Sequence, residues 1–160
     1  MNKNQLLESA KGLVTEKTSI SGTLEKKLET CAAELTTSLK KRPDLEDLIG
    51  AGNVSTMEMN HVNHFRYMNS ITALYDPKSF VETIIWVFRT YRARGFSLQY
   101  WEIMLPEAMN ILRQQLGEVH YHELGPYYEW LHANIQTFAC LSETELSVFE
   151  ELTDKDGCHG

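Results

Sequence analysis

Between Asp76 and Leu116 the chain reads DPKSFVETIIWVFRTYRARGFSLQYWEIMLPEAMNILRQQL, two apolar stripes of helical period on either side of one glycine. In the first stripe Phe80, Ile84, Phe88 and Tyr91 recur at steps of four, four and three, with Val81 and Ile85 alongside, so a broad face has to be buried. Leu98, Trp101, Leu105, Ala108 and Leu112 make the matching face of the second. Asp76 followed by Pro77 marks a helix start, because a carboxylate can accept the free amides of a first turn and proline is tolerated there. Gly95 is the natural stop, and Ser97 stands where it can cap the next helix. Pro106 removes an amide donor and crowds the turn before it, which predicts an interruption or a kink. Such an aromatic-rich helix pair supplies the wall of a core or the wall of a pocket.

The flanking sequence continues the same pattern. Gln5 to Lys17 is a weakly amphipathic segment, expected as a short helix in a mobile N-terminal region, 1–22. Thr23 caps a stronger helix to Lys41, with Leu24, Leu28, Cys31, Leu35 and Leu39 on one face, and Pro43 ends it. Asp44 to Ile49 predicts one short turn before the break GAGN, and Ser55 to Leu74 the next helix. The stretch LGEVHYHELGP reads as a link, Tyr127 to Leu141 as another aromatic helix, and Ser142 with Glu145 as a capping box opening a last helix to Leu152. No segment alternates with period two. The expected fold is therefore all-α, about six to eight helices in one domain over 23–152, with a disordered tail at 153–160.

A chain of 160 residues, 42% hydrophobic, can bury one sizeable core. A net charge of -7 argues against nucleic acid, whose phosphates are bound by clustered Lys and Arg. No apolar run approaches the roughly 20 residues that span a bilayer, and MNKNQLLES has no signal-peptide pattern, so no membrane partner and a cytoplasmic location are expected. Cys31, Cys140 and Cys158 are odd in number and far apart, which does not read as a disulfide framework. Cys31 and Cys140 read as small buried hydrophobes and Cys158 as part of a solvated tail.

Several constellations bear on chemistry. Glu58 and His61 share their spacing with Glu129 and His132, and two Glu-x-x-His pairs on different helices are what a carboxylate-bridged di-iron bundle uses, with His64 one step beyond His61. Such a bundle also needs single glutamates from two further helices, and Glu29, Glu34, Glu82, Glu102 and Glu107 are too many for any one to be specific. A metal-binding helical bundle is accordingly the alternative reading, against surface or hydrogen-bonded core histidines. His120 and His122 face apart on a helix and read as part of a solvated link. Arg89, Arg92 and Arg94, with Arg66, gather positive charge that could hold a carboxylate bidentately or compensate a helix dipole. Trp86, Trp101, Trp130, Tyr67, Tyr91, Tyr100, Tyr127 and Tyr128 are mostly core. No nucleophile motif, P-loop, dinucleotide fingerprint or credible triad is present, so an enzyme is not the first expectation.

The central stretch, with HVNHFRYM before it and YYEWLHANIQTF after it, resembles the second half of the sensor-type globins, the protoglobins and the haem domains of globin-coupled sensors, over about residues 43–140. The resemblance implies a globin-like fold, a homodimer through the helices Leu98–Leu116 and Tyr127–Leu141, and a sensory role with a signalling partner. Tyr91, four residues before Gly95, stands where that family has its proximal histidine. Tyrosinate can hold haem, but this position points towards the divergent members that have lost it. The implied ligand pocket, for an apolar molecule or a tetrapyrrole, comprises Tyr91, His64, Phe65, Met68, Phe88, Arg92 and Trp101, with His64 or Arg66 as partner of the Tyr91 hydroxyl. The expected function is a stand-alone sensory or regulatory domain binding such a ligand or a protein partner. A pure interaction module with a filled pocket is the third reading.

Overall fold

Caps and stripes become seven α-helices in the computed structural model, which describes residues 1–13 and 22–143, with residues 22 and 23 as backbone only. They are α1 (Lys3–Ala10), α2 (Gly22–Lys40), α3 (Leu45–Ile49), α4 (Val54–Ala73), α5 (Pro77–Ala93), α6 (Leu98–Ala133) and α7 (Ile135–Glu143). No strand occurs among the described residues. The expected tail, the helix beyond Glu143 and the Thr23 cap lie outside what is described.

Local chemistry sets most boundaries. The Asp76 carboxylate accepts from the amide and the hydroxyl of Ser79, which fixes the start of α5 with Pro77 in its first turn. α1 opens on a reciprocal capping box between Asn2 and Gln5. Ser97 gives no side-chain cap to α6; its amide instead donates to Leu48 O at 2.8 Å, and its hydroxyl is buried without a partner.

Three expected breaks fall elsewhere. α6 continues through Pro106, whose fixed φ is itself helical and which removes only one hydrogen bond. The chain turns instead at Gly117, with φ 74 and ψ 168, where a Cβ would be disfavoured. Residues 118–133 are then helical, so the expected link is a helix whose His120 and His122 are exposed and lie near Glu123 and Glu118 at 3.7 and 4.0 Å. The expected helix 127–141 is divided at Asn134, whose side chain donates to Trp130 O at 2.8 Å and ends α6. Ser142 is buried within α7, donating to Ala139 O, and opens no helix there.

α2 packs on α4 and α6, and α7 on α5 and α6, around a core that includes Cys31, Leu35, Phe65, Phe80, Leu112 and Phe138. Cys31 is a buried free thiol, pushed up to about 12 by that burial, and so is inert. Cys140 departs from expectation: it is half-buried and is not a free thiol. The N-terminal helix is hydrogen-bonded to the rest of the chain. Tyr75 donates to Ala10 O at 2.6 Å, Tyr127 to Leu13 O at 3.0 Å and Trp130 Nε1 to Ser9 Oγ at 2.6 Å, which fastens α1 across the ends of α4 and α6.

α5 is held from outside, by α1 and α7, and makes few close backbone approaches to α4 or α6. Rings bridge the gap: Phe88 stacks on Trp101 at 4.2 Å and meets Phe138 at 5.6 Å. At one end α4 and α5 are clasped together. Asn53 Nδ2 donates to both Ile49 O and Arg94 O at 2.8 Å, and Gly50 lies so close to Gly95 that a Cβ on it would meet Gly95 O at 3.2 Å. Both glycines have positive φ, 85 and 110, which suits no other residue well.

Candidate functional site

The gap between α5 and its neighbours is a cavity of about 330 Å3. From α4 it is lined by Asn60, Asn63, His64, Tyr67 and Met68. These are steps of three and four along one face, so the stripe follows from helix geometry. α5 contributes Ile84, Trp86, Val87, Phe88, Tyr91 and Arg94, with Thr83 and Thr90 between them. α6 closes the third side with Tyr100, Trp101, Met104 and Leu105 from its first turns and Tyr128 and Leu131 from beyond the Gly117 break. Trp86, 58% exposed, with the exposed Asn63 and Arg94, marks where the cavity meets solvent.

A buried hydrogen-bond ladder stiffens the wall that α4 and α6 share. Thr36 Oγ1 is 2.8 Å from His61 Nδ1, and His61 Nε2 is 2.9 Å from the Tyr100 hydroxyl. One turn on, His64 Nε2 is 2.8 Å from the Tyr128 hydroxyl, and Phe65 stacks on the His64 ring at 4.2 Å. Burial disfavours the imidazolium in both, taking His61 down to about 4 and His64 to about 3, with His61 adding to the effect on His64. The same desolvation raises the phenols of Tyr100 and Tyr128. The ladder is therefore neutral at pH 7.

Other polar groups at the cavity are not satisfied. Asn60 Nδ2 and the Tyr67 hydroxyl are cut off from water with no hydrogen bond of good geometry, although Tyr67 lies beside Thr83. The Tyr91 hydroxyl donates to no described residue, its ring lying against Trp101 and Phe96 at 5.9 and 5.2 Å. Its expected partners are engaged elsewhere: His64 with Tyr128, and Arg66 on the far side of α4, 3.9 Å from Glu29.

No family model, no curated protein and no solved structure matches this chain. The reading of the site rests on its own residues.

Of the seven residues expected in a ligand pocket, Tyr91, His64, Met68, Phe88 and Trp101 line the cavity. Phe65 lies behind His64 in the core, 1% exposed. Arg92 points away: it donates to Ala139 O, Ser142 Oγ and Glu143, while Arg89 reaches Ser142 O, so these two arginines cap the carbonyl end of α7. Asn60, Tyr67, Trp86, Arg94, Tyr100 and Tyr128 are lining residues that the sequence reading did not single out for the pocket. The α4 members were legible as one stripe with His64 and Met68; the Tyr128 contribution depends on how α6 turns at Gly117.

The four residues of the metal reading are not brought together. Glu58 pairs with Lys40, His61 has both ring nitrogens engaged, Glu129 accepts from Tyr121 at 3.2 Å, and His132 is exposed. Among the described residues no three His, Cys, Asp or Glu side chains gather at a point. Nor do the cavity residues fit a haem. The Tyr91 ring is packed against Trp101 and Phe96 at 5.9 and 5.2 Å. His64 is tied to Tyr128, and 330 Å3 stands at the foot of the range of small-molecule sites.

The aromatic faces on which a homodimer was expected are spent inside the chain. Tyr100, Trp101, Tyr127, Tyr128 and Phe138 are each no more than 3% exposed. No helix among the described residues is long and apolar enough to cross a membrane.

Proposed function

We propose that this chain is a sensory or regulatory domain of the non-haem sensor-globin kind, which binds an apolar small molecule between α4, α5 and α6. The observation that carries the reading is a largely apolar cavity whose wall holds two buried donors, Asn60 Nδ2 with no partner and the Tyr67 hydroxyl with only Thr83 beside it. An unsatisfied buried polar group costs about 1–3 kcal/mol, and a ligand acceptor would offset that cost. Phe88 of the cavity wall meets Phe138 of α7, which gives a route by which occupancy can be relayed through α7 to a signalling partner.

A neutral, environment-sensitive dye such as Nile red tests the proposal. Saturable binding of one dye per chain is expected in the native protein, weakened about tenfold by Val87→Trp, which fills the cavity from the half-buried face of α5. Equal binding by a Val87→Trp variant that retains native helicity would contradict it.

A further inference from the structure

The cavity sets the side chains of Asn60, Asn63, Thr83 and Thr90, which can donate or accept, beside a single kind of charge. Among the described residues no aspartate or glutamate lines it, and Arg94 is the one charged side chain that does. Arg89 and Arg92 of the same helix are committed to α7, whereas the Arg94 guanidinium makes no ion pair among the described residues. Arg94 is the last residue before Gly95, at the end where Asn53 ties α5 to the start of α4. Tyr91 lies one turn earlier, and its hydroxyl has no acceptor among the described residues. Asn60 comes from the first half of α4 and presents its unpartnered Nδ2. The Arg94 guanidinium, the Tyr91 hydroxyl and Asn60 Nδ2, none with an acceptor among the described residues, are thus the donors offered towards the clasped end of a largely apolar space.

We infer that the ligand is an organic acid: an anionic group held at the clasped end by Arg94, with Asn60 and Tyr91 as further donors, and an apolar body lying against Phe88, Trp101 and Met104. This rests on the cavity reading above and specifies its ligand class. A guanidinium at the rim of the cavity favours a carboxylate over a neutral isostere, because its hydrogen bonds to the carboxylate are charge-assisted and can be bidentate. Size narrows the class further. A volume of about 330 Å3 stands at the foot of the roughly 300–1,000 Å3 range of small-molecule sites. A medium-chain or small aryl acid is of that size and a tetrapyrrole is not.

The test is calorimetric titration of the full chain at pH 7.5 with octanoate, 4-phenylbutyrate and 1-octanol, repeated on Arg94→Gln. Octanoate or phenylbutyrate should bind the native protein at least about tenfold more tightly than octanol. Arg94→Gln should bring the acid down to the level of the alcohol and leave octanol binding within about twofold of native. Arg94 is exposed at the rim, so this variant is not expected to disturb the core. Octanol binding as tight as the acids, or an acid preference that survives Arg94→Gln, would overturn the inference while leaving the cavity reading in place. If none of the three binds, both fall together.

Discussion

At the scale of single residues, the molecule turns on imidazoles that are kept neutral. His61 and His64 read from the sequence as candidate ligands or as hydrogen-bonded core histidines, and the structure gives each a hydroxyl partner. That outcome was legible only as a choice between two readings, since a Glu-x-x-His spacing fixes the helix face of a side chain but not what lies opposite it. Thr36 and Tyr100, 25 and 39 residues away in sequence, decide the matter. The consequence is a pH dependence of stability. Both folded-state values, about 4 and about 3, lie below the ordinary 6.5, so the unfolded chain binds the extra protons. The stabilisation is complete above about 6.5 and is lost progressively as pH falls towards the folded values, at up to about 1.4 kcal/mol per pH unit for each histidine. Urea unfolding between pH 7 and 5 should show this slope. His61→Gln should reduce proton uptake on unfolding at pH 5.5 by about one, and an unchanged slope would show that His61 does not titrate as its burial requires.

At the scale of helices, the readable elements are those fixed by local chemistry. Asp76, Pro77 and Ser79 state the start of α5 within four residues, and the structure uses them so. Pro106 and Gly117 show the limit of that approach. Each carries a breaking tendency, and which one prevails depends on whether the chain must turn to bring Tyr128 beside His64, a demand that no local window contains. The same holds for the GAGN segment, which reads as a loop but whose Asn53 is the clasp between α4 and α5. Since both its partners are carbonyls, only a donor serves. Asn53→Ala and Asn53→Asp should each destabilise the protein by about 2 kcal/mol, at about 1 kcal/mol per lost hydrogen bond. Denaturant titration checks this, and an Asn53→Asp variant as stable as the native chain would contradict the clasp.

At the scale of the whole molecule, the all-helical class was legible because every long stripe has period 3.6, whereas the cavity was legible only in part. Tyr91, Phe88 and Trp101 announce an apolar wall; that the wall stands off from α4 follows from α1 and α7 holding α5 by its outer side. The central claim is that this space receives a ligand, and the six methionines offer a direct measurement of it. Met68 and Met104 line the cavity, Met57 is buried outside it, and Met1, Met59 and Met109 lie elsewhere. In a spectrum of protein carrying carbon-13 methionine methyl groups, titration with octanoate should move the resonances of Met68 and Met104 saturably and leave Met57 in place. Resonances of Met68 and Met104 that stay fixed while the acid binds, or shifts centred on Met57 or Met109, would contradict the account.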